Sequence, residues 1–290
     1  KPLTIHKNNY FPAQWDFLTN KKKARIKAYV GGFGSGKTYS FLTETFINLI
    51  TKKNRDGKSN GLILYPTYNL ADSVFVEPFK DILERNGVAY SYNIASHKFK
   101  TIYGDIKIYV TNQANKIVGS SYTWAGVDEL DIESFKNADI AISKALGRLR
   151  GCEDAELFIT STPEGYSFCW DFLVNKASDD KIVVHGKTTD NPHLPESYIQ
   201  SLRDNYDENL LKAYLDGQFT NLQRGNTYHG FERERNVREC LYNRNQPIHV
   251  GWDFNLLPQC CCIIQEQPNS PNIQVIDEIQ LDTDGSGDVL

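Results

Sequence analysis

The sequence predicts an α/β fold, with a mainly parallel sheet flanked by helices. Three observations predict it. Short apolar runs of strand length, "RIKAYV", "GLILYP", "YTWAGV" and "AELFITS", alternate with longer segments of helical period. The first strand meets its helix through "YVGGFGSGKTYSF", residues 29–41, a glycine-rich junction of the kind that cradles a phosphate. The chain has 290 residues and 40% apolar content, enough for one large core or two ordinary ones.

"RIKAYV" alternates and ends on β-formers, as a strand should. In the loop after it, Gly31, Gly36, Lys37 and Thr38 match G-x-x-x-x-G-K-[ST]. Gly31, Gly32, Gly34, Ser35 and Gly36 give the backbone freedom to turn N–H groups toward one anion. Lys37 would reach the outer phosphates, and the Thr38 hydroxyl would ligate Mg²⁺. The helix "TYSFLTETFINLITKK" places Phe41, Phe46, Ile47 and Ile50 at helical spacing and points its positive end at the loop. Next come a strand "GLILYP", a helix "NLADSVFVEPFKDILERNG", and a hairpin of "HKFKTIYG" and "DIKIYVT" expected to turn at Gly104 and Asp105. Strands "YTWAGV" and "AELFITS" follow, with the helical "NADIAISKALGRLRG" between them.

From "TTDNPHLP" to "LDGQF" the pattern is helical, and "TNLQRGNTYHGFERERNVRE" reads as a linker. "PIHVGWDFN", "CCCIIQEQ" and "NIQVIDEIQL" are then three β-rich runs at hairpin spacing, the start of a second domain. Alternation through "IHVGWDF" puts Asp253 near the end of a strand beside the cysteine run, an expected central position. The expected organisation is a P-loop core over residues 1–190, a helical subdomain and linker over 191–244, and an incomplete domain over 245–290.

No stretch approaches the roughly 18 apolar residues of a membrane span, and the first residues lack the apolar centre of a signal peptide, so no membrane association and a place inside a cell are expected. The six cysteines, at 152, 169, 240, 260, 261 and 262, form no C-x-x-C pair and read as reduced, mostly buried side chains. With a net charge of −4, contact with nucleic acid must come from local basic patches such as "SKALGRLRG". Methionine is absent even at residue 1, so the chain is expected to be a piece of a longer protein.

Asp128 ends the apolar strand "YTWAGV" and Glu129 follows it, where one carboxylate can hold a Mg²⁺ water shell and the next can orient an attacking water. The plain alternative is an acidic helix cap. Thr160, Ser161 and Thr162 leave the next strand and are candidates to touch a terminal phosphate, or are only a polar strand end turned by Pro163. Gln14 has an amide able to pair with the two edges of adenine.

The order "FPAQ", "GGFGSGKT", "LYPTYNLADSVF", "WAGVDE", "ITSTP", "TDNPHLP", "LDGQF" and "GWDFN" resembles the large terminase subunit of tailed double-stranded DNA bacteriophages. The resemblance covers nearly the whole chain. It implies an ATP-driven DNA-packaging motor joined to a metal-dependent endonuclease of RNase H-like α/β fold, begun here at residue 245. By motif, Gln14 is the adenine contact, Lys37 and Thr38 the phosphate and Mg²⁺ residues, and Asp128 the metal-side acid. Glu129 is the catalytic carboxylate, Thr160 to Thr162 the coupling element, and Asp253 the first nuclease ligand for Mg²⁺ or Mn²⁺, with Glu278 a weaker second.

Many members carry an arginine where this chain has Phe33, so Arg148 and Arg150 become the candidates for a transition-state arginine, within the subunit or toward a neighbour. Implied partners are double-stranded DNA, a portal protein, a small terminase subunit and further copies in a homo-oligomeric ring. The implied setting is the cytoplasm of an infected bacterial host. A helicase-like or remodelling translocase with the same P-loop core is the competing reading, and a non-hydrolysing nucleotide switch is a third.

Overall fold

The alternating segments become an eight-stranded sheet in the computed structural model, which describes residues 6–20, 24–222, 236–253, 259–266 and 273–281. The chain divides into two compact units, Lys1–Arg224 and Gly225–Leu290. In the first unit the strands are β1 (Ile26–Gly31), β2 (Ser59–Tyr65), β3 (Tyr90–Asn93), β4 (Lys98–Thr101), β5 (Gly104–Val110), β6 (Trp124–Asp128), β7 (Glu156–Ser161) and β8 (Lys181–Gly186). Their spatial order is β3-β4-β5-β2-β6-β7-β1-β8. From β5 to β8 in that order every pairing is parallel, and β3 and β4 add an antiparallel edge. The expected mainly parallel sheet, flanked by helices, is what forms.

Two-residue periodicity sorts the core. On β2, Leu62 and Leu64 face the layer of α5 (Phe135–Arg148), beside Ala138, Ala141, Ile142 and Ala145. Ile63 and Tyr65 face the layer of α1 (Pro12–Thr19), α2 (Lys37–Thr51) and α4 (Glu77–Arg85), beside Phe17, Phe41, Phe46, Leu49, Phe75 and Phe79. Each fully buried Leu, Ile or Phe contributes on the order of 1.5–3 kcal/mol. On α2 the buried apolar set is Phe41, Leu42, Phe46 and Leu49, with Ile47 and Ile50 only packed against its rim.

Three local expectations change. The helical "NLADSVFVEPFKDILERNG" contains α3 (Tyr68–Ala71), a π-helical turn over Asp72–Val76, and α4. The Glu77 N–H reaches back five residues to the Asp72 carbonyl, and the wider turn accommodates Pro78, which has no N–H to give. The hairpin turns at residues 102 and 103, two residues early. Gly104 already opens β5 at φ +145°, in register with Ser59, where a Cβ would run into the Ser59 backbone. Finally, all six cysteines are free, but only Cys169 and Cys261 are buried.

The short α6 (Phe168–Trp170) follows β7, and after β8 the chain forms α7 (Glu196–Asn205) and α8 (Glu208–Tyr214), all within the first unit. Asp207 caps α8 by accepting the Leu210 N–H at 2.9 Å. Among the described residues no helix is long and apolar enough to cross a membrane.

The second unit holds β9 (His249–Asp253), β10 (Gln259–Glu266) and β11 (Ile273–Leu281), antiparallel in the order β11-β10-β9. The central, buried position expected for Asp253 is not found. β9 is an edge of this sheet and every one of its residues is exposed, while β10 takes the centre and buries Cys261 and Gln265.

Candidate functional site

Parallel strands deliver their carboxyl ends to one edge of a sheet, and ligands of open α/β sheets bind there. At that edge β1 releases the glycine-rich loop, β6 ends on Asp128, and β7, which lies between them, ends on Thr160 and Ser161. The loop turns through left-handed glycines, Gly34 at φ +71° and Gly36 at φ +84°. Tyr29 donates its hydroxyl to the Ser35 carbonyl at 2.7 Å, and Ser35 donates to the Gly32 carbonyl at 2.8 Å. Lys37 opens α2 with its ammonium buried and bonded to the Gly32 carbonyl at 2.9 Å. Burial lowers its pKa, and the charges of Glu129 and Asp128 oppose that shift.

Asp128 is fully buried, and every hydrogen bond described to it comes from a donor. Tyr65 donates to Oδ2 at 2.8 Å, while the Thr160 hydroxyl and the Glu129 N–H, the latter at 3.0 Å, donate to Oδ1. Burial raises its pKa, and these donors and Lys37 pull it back toward the ionised form. Glu129 stands in the left-handed region at φ +51°, rare for a side chain with a Cβ. Its N–H also reaches the Thr160 carbonyl at 2.8 Å. Burial first and Asp128 second push its carboxyl up to about 7. The donor set suits a divalent ion, since Mg²⁺ takes one or two protein oxygens and keeps its waters. Thr38 on the first turn of α2 and the oriented Asp128 carboxylate offer those oxygens, although no cluster of three or more ligating side chains stands together among the described residues.

Several residues that motif reading missed complete the site. Asp131, buried in the turn after Glu129, accepts the Glu164 N–H at 2.8 Å and the Cys169 N–H at 2.9 Å, while its own N–H goes to Ser161 Oγ at 3.0 Å. Thr162, already a candidate from the sequence, is buried in the same loop. "TDNPHLP" and "LDGQF" close over the glycine loop from the other side. Asn191 donates to the Gly34 carbonyl at 2.7 Å, the Phe33 N–H donates to the Tyr214 carbonyl at 2.7 Å, and the Gly32 N–H donates to the Gly186 carbonyl at 3.1 Å. Phe33 stacks on Tyr214 with ring centroids 4.5 Å apart.

Other candidates lie elsewhere or are already engaged. The Gln14 amide is 2% exposed, donates to the Gly36 carbonyl at 2.9 Å and accepts the Phe11 N–H at 2.9 Å, so both its edges are held by the protein. Arg148 ends α5 and Arg150 follows two residues later, at the opposite edge of the sheet, beside the start of β6. There Arg148 Nε bonds the Ile117 carbonyl at 3.2 Å and Arg150 Nε bonds Ser121 Oγ at 3.0 Å, so neither reaches the site of its own subunit. Asp253 and Glu278 belong to the second unit, where the pairings Asp253 with Cys260 and Cys262 with Glu278 put both on one face, on strands either side of β10.

The profile of the family described as "Terminase large subunit, T4likevirus-type, N-terminal" matches residues 28–235. The chain belongs to the terminase large subunit family. No curated protein matches it. Among solved structures, this terminase chain is similar to the large terminase of a thermophilic bacteriophage in complex with ADP, at 15% identity and a TM-score of 0.64, covering 94% of this chain and 69% of that one. The ATPase domain of the Thermus phage P74-26 large terminase is similar at 16% identity and a TM-score of 0.57, over 76% of this chain and 94% of that one. For the large terminase of bacteriophage HK97 the values are 12% and 0.54, over 93% and 62%. At such identities the likeness is one of fold.

Proposed function

We propose that this terminase chain is the ATP-hydrolysing motor subunit that moves double-stranded DNA into a viral procapsid. One observation carries the reading: a buried lysine on a glycine cradle shares one sheet edge with a buried Asp128 and a half-buried Glu129, and each shifts the other's protonation. The similar large terminase of the thermophilic phage, in complex with ADP and with ATP-gamma-S, supports ATP as the nucleotide.

The glycine loop and the α2 N-terminus bind the phosphates, and the Lys37 ammonium offsets charge that develops on the outer one. Thr38 and Asp128 would hold a Mg²⁺ ion, which compensates phosphate charge when bound. Ionised Glu129 orients the attacking water and takes its proton. Thr160 to Thr162, tied to Asp128 and Glu129, pass on the loss of the terminal phosphate. Gln14 reads adenine after giving up its present partners. Arg148 and Arg150 serve the site of a neighbouring copy in a ring assembled with the portal protein and the small terminase subunit, in the cytoplasm of the infected host.

Lys37→Ala is expected to abolish Mg²⁺-dependent phosphate release. Glu129→Gln is expected to keep ATP affinity within about threefold while slowing turnover at least about 100-fold. A Glu129→Gln protein that turns over like the natural chain would remove the carboxylate from the mechanism.

The second unit is proposed to begin an RNase H-like nuclease in the longer protein, with Asp253 and Glu278 as Mg²⁺ or Mn²⁺ ligands. Their shared face supports this. In that longer protein, Asp253→Asn should end Mn²⁺-dependent DNA cleavage and leave ATP turnover within about twofold, sites on separate units being nearly additive. Cleavage that survives the substitution would exclude Asp253 as a ligand.

A further inference from the structure

Tyr214 touches both halves of the site at once. Its backbone carbonyl accepts the Phe33 N–H of the glycine loop at 2.7 Å and the Thr188 hydroxyl at 3.1 Å, and its ring stacks on Phe33 at an interplanar angle of 21°. Its hydroxyl donates to Glu164 Oε2 at 2.8 Å. Glu164 lies just past the Thr160–Thr162 segment, and its N–H is held by Asp131, the buried acid two residues after Glu129. An unbroken line of contacts therefore runs from Phe33 through Tyr214, Glu164 and Asp131 to the turn that carries Glu129.

We infer that Tyr214 and Glu164 form a positioning pair that fixes the Glu129 side of the site against the glycine-loop side, so that α8 sets the hydrolytic geometry without touching nucleotide. The inference rests on the ATPase reading above and goes beyond it in naming residues that no motif marks. Tyr214→Phe is the informative change, because it keeps the ring stack and both backbone contacts and deletes the bond to Glu164. Losing one hydrogen bond to a carboxylate in the aligned state corresponds to about a tenfold effect.

The pair is tested by a double-mutant cycle on steady-state ATP turnover, with the natural chain run alongside. Tyr214→Phe and Glu164→Ala should each lower kcat about tenfold with KM for ATP within about twofold, and the double variant should be no slower than either alone. Glu164→Gln keeps an acceptor for the phenol and should stay within about threefold of the natural rate. A structural role alone would move the melting temperature and leave kcat per folded molecule unchanged. Additive losses, or natural kcat in Tyr214→Phe, overturn the pair. A natural chain without turnover instead overturns the ATPase reading and with it any catalytic use of the contact.

Discussion

Glu129 occupies a backbone conformation that glycine would adopt more cheaply, at a cost of about 1–3 kcal/mol. The strain is offset locally, since its N–H is shared by the Thr160 carbonyl and Asp128 Oδ1. The Asp-Glu pair was legible because two acids after an apolar strand are an unusual way to end one. The left-handed turn was not, because an acidic helix cap has the same letters. Tyr65 and Asp131 were invisible for another reason, as their importance comes from partners distant in the chain. With its carboxyl pushed up to about 7, Glu129 is half protonated near neutrality, and a group that must accept a proton works only when ionised. The kcat/KM for ATP is therefore expected to rise with pH and level off above about pH 7. A flat profile from about pH 5.5 to about pH 8 would assign the proton to another group.

Helix α2 joins two kinds of chemistry, a phosphate-binding end and a buried acid in its middle. Glu44 is 2% exposed, pairs with Lys27 at 2.7 Å, accepts from Asn48 at 2.9 Å and lies within hydrogen-bonding reach of Glu156. Burial raises its pKa more than Lys27 lowers it. Glu156 goes the other way, burial there being outweighed by Lys27 and Lys52, so a shared proton rests on Glu44. A carboxyl whose folded pKa lies above its unfolded value stabilises fully below the unfolded pKa, and that stability is lost as pH rises through the folded value. The natural chain should accordingly lose stability between about pH 5 and about pH 8, and in Glu44→Gln that loss should shrink by about 1–3 kcal/mol, read by denaturant unfolding. An unchanged slope would place the proton elsewhere. Periodicity located this helix and two of its core residues, Phe41 and Phe46. It could not distinguish Ile47 and Ile50 from Leu42 and Leu49, because a helix against a wide sheet buries a broad face and the sequence does not say where that face is centred.

At the scale of the molecule the fold class was open to reading, because alternating elements have few right-handed ways to pack. The closing of the 186–217 region over the glycine loop was not, since "TDNPHLP" and "LDGQF" carry no periodicity that names their partner. The same geometry constrains the arginines. α5 has 14 residues and spans about 21 Å, so its last turn is that far from its first, at the edge away from Asp128. If Arg148 acts on a neighbour, Arg148→Ala should lower turnover by about three orders of magnitude in the assembled ring. Mixing it with Lys37→Ala subunits should restore part of the rate, because each variant supplies what the other lacks. The same design applies to Arg150. Mixtures as inactive as the separate variants would end the between-subunit assignment.

The position of β1 between β7 and β8 has a consequence for how the protein is made. A ribosome releases residues 26–38 early, complete with every letter of the phosphate motif. The strands that flank β1 and the segment that grips its loop emerge much later, ending with α8 and Gly217. Until β7 and β8 emerge, β1 is an apolar strand with two open edges, the kind of nascent segment that chaperones cover. A chain stopped between Thr38 and Glu156 would carry every letter of the phosphate motif with neither of the strands that flank β1 beside it.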